Sequence, residues 1–173
     1  MAREEQTDKT KQELQDRAWE LAEKIRMCVF TTWDGKKQVP RPMDATVRHE
    51  AGAIFFLTDV KSRKVRHLKK FPVTSLAFAD PSSMKFVTLS GEAVVSNDRI
   101  RIKDIWTATS KAWWESENDP AIRLVTFVPK EAELWDSPNF LVSTVKMLTA
   151  AVTGAKPRLG DHARVRVAQT HAG

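Results

Sequence analysis

Residues 54–68 read IFFLTDVKSRKVRHL: an apolar stretch that stops at Thr58 and Asp59, followed by Ser62, Arg63 and Lys64 where a helical pattern begins. A hydroxyl, two cations and the first amides of a helix are thereby gathered at one point of the chain. The opening N–H groups of a helix have no intrahelical acceptor and carry partial positive charge, so such a point suits a phosphate. Upstream, Arg41 lies in the stretch VPRPMDATV, whose prolines mark an edge strand able to return past the same place. The competing reading of residues 61–70 is a solvated helix face held down by two apolar positions. Tryptophans at 106, 113, 114 and 135 offer flat surfaces for a planar ligand, although a large aromatic more often fills a core.

Other chemistries find little support. The histidines at 49, 67, 162 and 171 lack the spacing and the Cys, Asp or Glu partners of a metal site, so no metal is expected. There is no Gly-rich phosphate loop, no dinucleotide fingerprint and no nucleophile elbow. The single cysteine, Cys28, cannot close an internal disulfide and reads as a small buried hydrophobe, which fits a reducing, cytoplasmic setting. No run of about 18 uncharged apolar residues is present, so a membrane span is not expected. The net charge of +6 raises the question of a polyanion partner, but the cations are spread along the chain, dense only at 61–70 and 156–166. A stacking surface for bases is missing from the first of these, and nucleic acid is therefore a poor candidate.

The elements that must position these groups follow from periodicity. Residues 1–10 are strongly polar and are expected to be disordered. Thr10 with Glu13 forms a capping-box pattern, and Leu14, Ala18, Leu21, Ala22 and Ile25 recur at helical spacing, predicting a helix over 11–24. Residues 27–32 and 38–48 read as strands around an Asp34-Gly35 hairpin, and 53–58 as a third strand. A short helix over 62–70 is ended by Pro72, with Val65, Leu68 and Phe71 facing inward. A strand over 73–79, a strand pair within 85–96 with a bulge or bend at Gly91, and a helix from Asn97 or Asp98 to about 109 come next. Strands over 121–128 and 131–136 are joined by Pro129-Lys130, and a C-terminal extension over 139–173 holds a helix at 140–153 and a short strand at 162–168. Six to eight short strands with few helices predict a single, mainly β domain over 1–173: a small barrel with flanking helices.

Taken together, Arg41-Pro42-Met43, the Phe-x-x-Thr stop at Thr58 and Ser62-Arg63-Lys64 resemble the flavin-binding pattern of the pyridoxamine phosphate oxidase superfamily, the FMN-binding split β-barrels. The stretch WWESENDPAIRLVTFVPKEAELWDSP over 113–138 and the tail KMLTAAVTGAKPRLGDHARVRV over 146–167 are similar to the general stress protein branch of that superfamily. The resemblance implies a split barrel and a homodimer with FMN, or FAD, at the subunit seam. It places the phosphate on Arg41, Ser62, Arg63 and Lys64, and sets the strand backbone of Pro42 to Thr46, Met43 included, and the Leu57-Thr58 pair beside the isoalloxazine ring. Trp106, Trp113 and Trp114 become candidates for covering that ring.

The departures narrow the function. Where the oxidases carry Tyr-Thr this chain has Leu57-Thr58, and it contains no tyrosine. Phe86 stands where they place a Gln ahead of Gly91, and their substrate-binding Arg and His have no match near Trp135. Vitamin B6 oxidation is therefore not expected, and no catalytic residue is named. The leading expectation is a stress-related flavin-dependent oxidoreductase of unknown substrate, with a nicotinamide as donor. Against it stand a flavin-binding carrier that does not turn over and, further off, a polyanion-binding module.

Overall fold

A computed structural model describes residues 2–136 and 161–167, with side chains for 11–136 and 163–167. The elements are α1 (Ala2–Ile25), β1 (Met27–Trp33), β2 (Gln38–Asp44), β3 (Thr46–Arg48), β4 (Ala53–Asp59), α2 (Arg63–Lys70), β5 (Val73–Asp80), β6 (Lys85–Ser96), α3 (Arg99–Asp104), β7 (Ile122–Asp136) and β8 (Asp161–Arg166). The strands form one antiparallel sheet in the order β2-β1-β5-β6-β7-β4-β3, with β8 added to β7. It curls into a split β-barrel with flanking helices, the expected architecture. The helix expected at 140–153 lies outside the described residues.

Two departures from regular pairing shape the sheet. At the β1–β2 hairpin the Asp34 carboxylate accepts from the amides of Lys36 (2.8 Å) and Lys37 (2.9 Å), and Gly35 takes φ +101°, which its missing Cβ permits. The second is a register shift between Ser90 and Gly91 in the β6–β7 ladder. A Cβ on Gly91 would fall 2.1 Å from the Val128 carbonyl oxygen and 2.9 Å from the Pro129 Cα, so glycine is required there. This bulge corrects two expectations: residues 85–96 are one strand rather than a pair, and 122–136 are one bent strand rather than two. Pro129 lacks a donor, but placed at the bulge it leaves the ladder intact. On the edge away from β6, the first half of β7 pairs with β4 and the second half with β8.

The core is divided by the two faces of the sheet. Ala18, Leu21 and Ala22 of α1 enter the main cluster with Phe30, Phe56, Leu76, Phe78 and Phe127. Phe30 and Phe56 meet edge-on with ring centroids 5.0 Å apart. The opposite face of β4 carries Ala53 and Phe55 into a second cluster with Ile102, Ile105, Ile122 and Leu124. Burial on both faces is why IFFL reads as an unbroken apolar run. Cys28 is buried, and that burial pushes its thiol up to about 12, so it behaves as the expected small hydrophobe.

Two helices differ from expectation in length. α1 takes in 2–10 as well as 11–25. α3 stops at Asp104 rather than near Thr109, although Asp98 caps its start as expected, accepting from the Arg101 amide at 2.9 Å. Thr107 and Ser110 then cap each other reciprocally and open a separate 3-10 turn over Ala108–Ala112; their hydroxyls offer the backbone an alternative to continuing the helix.

Candidate functional site

A cavity of about 610 Å³ lies between the edge strand β2, the end of β4, the start of α2 and the segment after α3. Its size is in the range of a small-molecule site. Arg41, Pro42, Met43, Leu57, Thr58, Ser62, Lys64 and Trp113 of the sequence-predicted set line it. Arg63 does not line it but lies close enough for its charge to act on Arg41. Trp106 packs against the second core cluster, with its ring 6.5 Å from that of Trp114, and Trp114 reaches the cavity.

Each group at the cationic end is placed by a local feature. β2 is an end strand of the sheet, which tolerates prolines on both sides of Arg41, and Arg41 pairs in register with Phe30. Its Nη2 donates to the Thr32 hydroxyl at 3.0 Å, while Nη1 is buried without any hydrogen-bond partner. At the end of β4, Thr58 accepts from Lys64 Nζ at 2.7 Å and lies 3.1 Å from the Ser62 hydroxyl. Either hydroxyl can be the donor of the Thr58–Ser62 contact, since one lone pair of Thr58 remains after Lys64 is served. Ser62 is the N-cap of α2 but its side chain caps nothing. Among the described residues no acceptor serves the Arg63 and Lys64 amides.

The electrostatics are unusual for cations. Burial, then the charge of Arg63, push the Arg41 guanidinium below its ordinary value. Burial, then Arg41, push the Lys64 ammonium down as well, against a smaller opposing pull from Asp59. No carboxylate forms an ion pair with Arg41, Arg63 or Lys64 among the described residues. A pair of half-buried like charges, an orphaned guanidinium nitrogen and uncapped helix amides are a donor set that lacks an acceptor with negative charge. A phosphate supplies that: several oxygens able to accept charge-assisted bonds at once. The residues present therefore fit the phosphate of a flavin nucleotide.

The rest of the wall has a different character. Met43, Leu57, Ile105, Trp113 and Trp114 are apolar, with Thr107, Thr109 and Ser110 along the rim. Arg26 also lines the cavity, but its Nε and Nη2 donate to the two carboxylate oxygens of Asp44 at 2.5 and 2.6 Å. Thr32 and His67, joined by a 2.9 Å contact between Oγ1 and Nδ1, were not singled out by sequence reasoning. For Thr32 the signal was strand alternation, which sets it on the same face as Phe30. His67 follows Arg63 by one helical turn and reads simply as part of the basic face.

A family model described as pyridoxamine 5'-phosphate oxidase like matches residues 13–158. No curated relative matches the chain. Among solved structures, a general stress protein 26 from Jannaschia sp. CCS1 superposes with a TM-score of 0.74 at 22% identity, covering 91% of this chain and 99% of that one. The general stress FMN/FAD binding protein of Xanthomonas citri superposes with a TM-score of 0.64 at 23% identity, over 72% of this chain and 89% of the other. General stress protein 26 of Bacillus anthracis gives 0.64 at 17% identity, over 70% and 92%. At these identities the likeness shows a common fold. No helix of the described residues is long and apolar enough to cross a membrane.

Proposed function

Because the chain belongs to the pyridoxamine 5'-phosphate oxidase-like family, we propose that it is a flavin-binding, stress-related protein that seats the phosphate of FMN between Arg41, the Ser62 hydroxyl, Lys64 and the first amides of α2. The observation that carries this reading is the buried Arg41 Nη1, left without a partner in a residue that lines the cavity together with Ser62 and Lys64. An isolated buried donor costs about 1–3 kcal/mol and is retained where a ligand satisfies it. The apolar wall of Met43, Leu57 and Trp113 suits a flat ring, which needs contact area and a few directed polar groups.

When bound, the flavin supplies two-electron redox chemistry. The chain's own part is to fix the phosphate and to offer the ring the apolar surface of Met43, Leu57 and Trp114. We take the protein to be a homodimer with the flavin at the seam, and a nicotinamide to be the hydride donor of an oxidoreductase with an unassigned substrate. A cytoplasmic location accords with the single buried Cys28.

The second reading is a flavin carrier. It is favoured by how few acids or bases line the cavity among the described residues: Asp44 is held by Arg26, and Asp59 accepts from the Lys61 amide at 2.6 Å. The absorbance of the purified protein between about 350 and 500 nm, with mass identification of released chromophore, tests flavin binding and separates FMN from FAD. Anaerobic mixing with NADH or NADPH then separates the two readings. Bleaching on a catalytic timescale supports the enzyme, and an unchanged flavin band supports the carrier.

A further inference from the structure

Arg41 is held by a chain of two contacts that leads away from the cavity into the barrel wall. Its Nη2 donates to Thr32 Oγ1 at 3.0 Å, and Thr32 Oγ1 lies 2.9 Å from Nδ1 of His67 on α2. Thr32 is 1% exposed, so its hydroxyl hydrogen must find an acceptor inside the protein. A guanidinium has only donors and cannot serve; among the described residues the remaining partner is His67 Nδ1. The hydrogen pattern is thereby fixed. Thr32 donates to an unprotonated Nδ1, His67 is the neutral Nε2–H tautomer, and the Thr32 lone pairs are turned to Arg41.

The charges around His67 point the same way. Burial, followed by the guanidinium of Arg41 across the sheet, holds its pKa below the ordinary value, with Arg63 and Arg66 of its own helix adding to the effect and Asp34 of the hairpin opposing it. The ring is anchored on α2, whose Val65 and Leu68 are buried in the barrel, while Arg41 stands on an end strand with one neighbour. A guanidinium on an edge strand carries many rotamers, and one bond to a rotating hydroxyl would not fix it. With the hydroxyl locked by the imidazole it can.

We infer that His67, acting through the Thr32 hydroxyl, is a positioning residue that fixes Arg41 in the anion seat and so sets the affinity for the phosphate end of the ligand. This rests on the phosphate reading above. Loss of either contact releases Arg41 without removing any group that touches the ligand, and it is felt by FMN but not by riboflavin, which lacks the phosphate.

The test is a titration of flavin-free protein with FMN and with riboflavin, for wild type, His67→Leu, His67→Asn, Thr32→Val and the Thr32→Val/His67→Leu pair. His67→Leu and Thr32→Val each weaken FMN about tenfold, the cost of one hydrogen bond to a charged partner, and leave riboflavin within about twofold. His67→Asn places an amide oxygen near the lost Nδ1 and keeps FMN within about threefold. The double variant is no weaker than the weaker single, because both changes break one chain. Imidazole nitrogen NMR of the wild-type protein, which needs no variant to fold, finds Nδ1 of His67 unprotonated. A protonated Nδ1, equal losses for FMN and riboflavin, or additive losses in the double variant overturns the inference while leaving the phosphate reading standing. A wild-type protein that does not prefer FMN over riboflavin removes the reading itself and the inference with it.

Discussion

Arginine is used in two opposite ways at the two ends of this barrel. Where α1 crosses the end of β7, Arg17 Nε lies 2.6 Å from Asp136 and its Nη1 2.6 Å from Glu20, while Lys85 approaches the same Asp136 at 3.3 Å. Those contacts hold the Arg17 proton more tightly and keep the Asp136 carboxyl below its usual range. At the cavity, Arg41 and Lys64 are surrounded by burial and like charge, and their protons are held less tightly. A cation given its carboxylate is part of the scaffold; a cation left without one marks a site whose counter-charge comes from outside.

The largest expected effect strikes the unpaired end. Arg41→Ala with Lys64→Ala removes two charge-assisted donors, and FMN affinity measured by fluorescence quenching falls on the order of a thousandfold, with riboflavin nearly unchanged. Loss of both ligands in step would place these cations elsewhere than at a phosphate. Next is the bend that separates the two ends. Gly91→Ala forces a Cβ into the Val128 carbonyl and lowers stability by about 3 kcal/mol or more in urea unfolding; a neutral outcome would mean the β6–β7 bulge is pliable.

At the paired end, Asp136→Asn leaves Arg17 and Lys85 without their shared anion and costs about 1–2 kcal/mol, between the values for exposed and buried pairs. Its pH signature has a definite sign. The folded Asp136 pKa lies below the ordinary 3.8, so its contribution is complete above that value and disappears as pH falls through the folded one. The wild-type urea midpoint therefore drops more steeply than that of the Asn variant as pH falls below about 4. The smallest effect has the opposite sign: Arg41→Met in the ligand-free protein raises stability by about 1 kcal/mol by deleting an orphaned donor, while abolishing tight FMN binding. A loss of stability instead would make Arg41 a scaffold residue like Arg17.

Local signals carried much of the architecture. The Asp34-Gly35 hairpin, the Val65 and Leu68 face of α2, the Asp98 cap and the apolar face of α1 are all written in patterns within a few residues, and each stands as read. What could not be read depends on strands distant in sequence. Pro129 looks like a break until Gly91 is set against it, and the helix beyond Asp104 looks continuous until Thr107 and Ser110 cap each other. The return of Arg41 past the start of α2 follows from the prolines that mark its edge strand, and Arg41, Ser62 and Lys64 line one cavity. Thr32 and His67 were missed because a hydrogen bond between a strand and a helix leaves no periodicity in the chain. Trp106 packs beside Leu57 and Trp114 on the second core cluster, and only the latter two reach the cavity wall, a difference that spacing along the chain does not encode.

The account turns on whether the unpaired cations hold a phosphate, and a side-by-side titration of flavin-free wild-type protein with FMN and riboflavin asks that directly. Two or more charge-assisted bonds predict FMN binding at least about a hundredfold tighter than riboflavin. Equal affinities for the two ligands would contradict it.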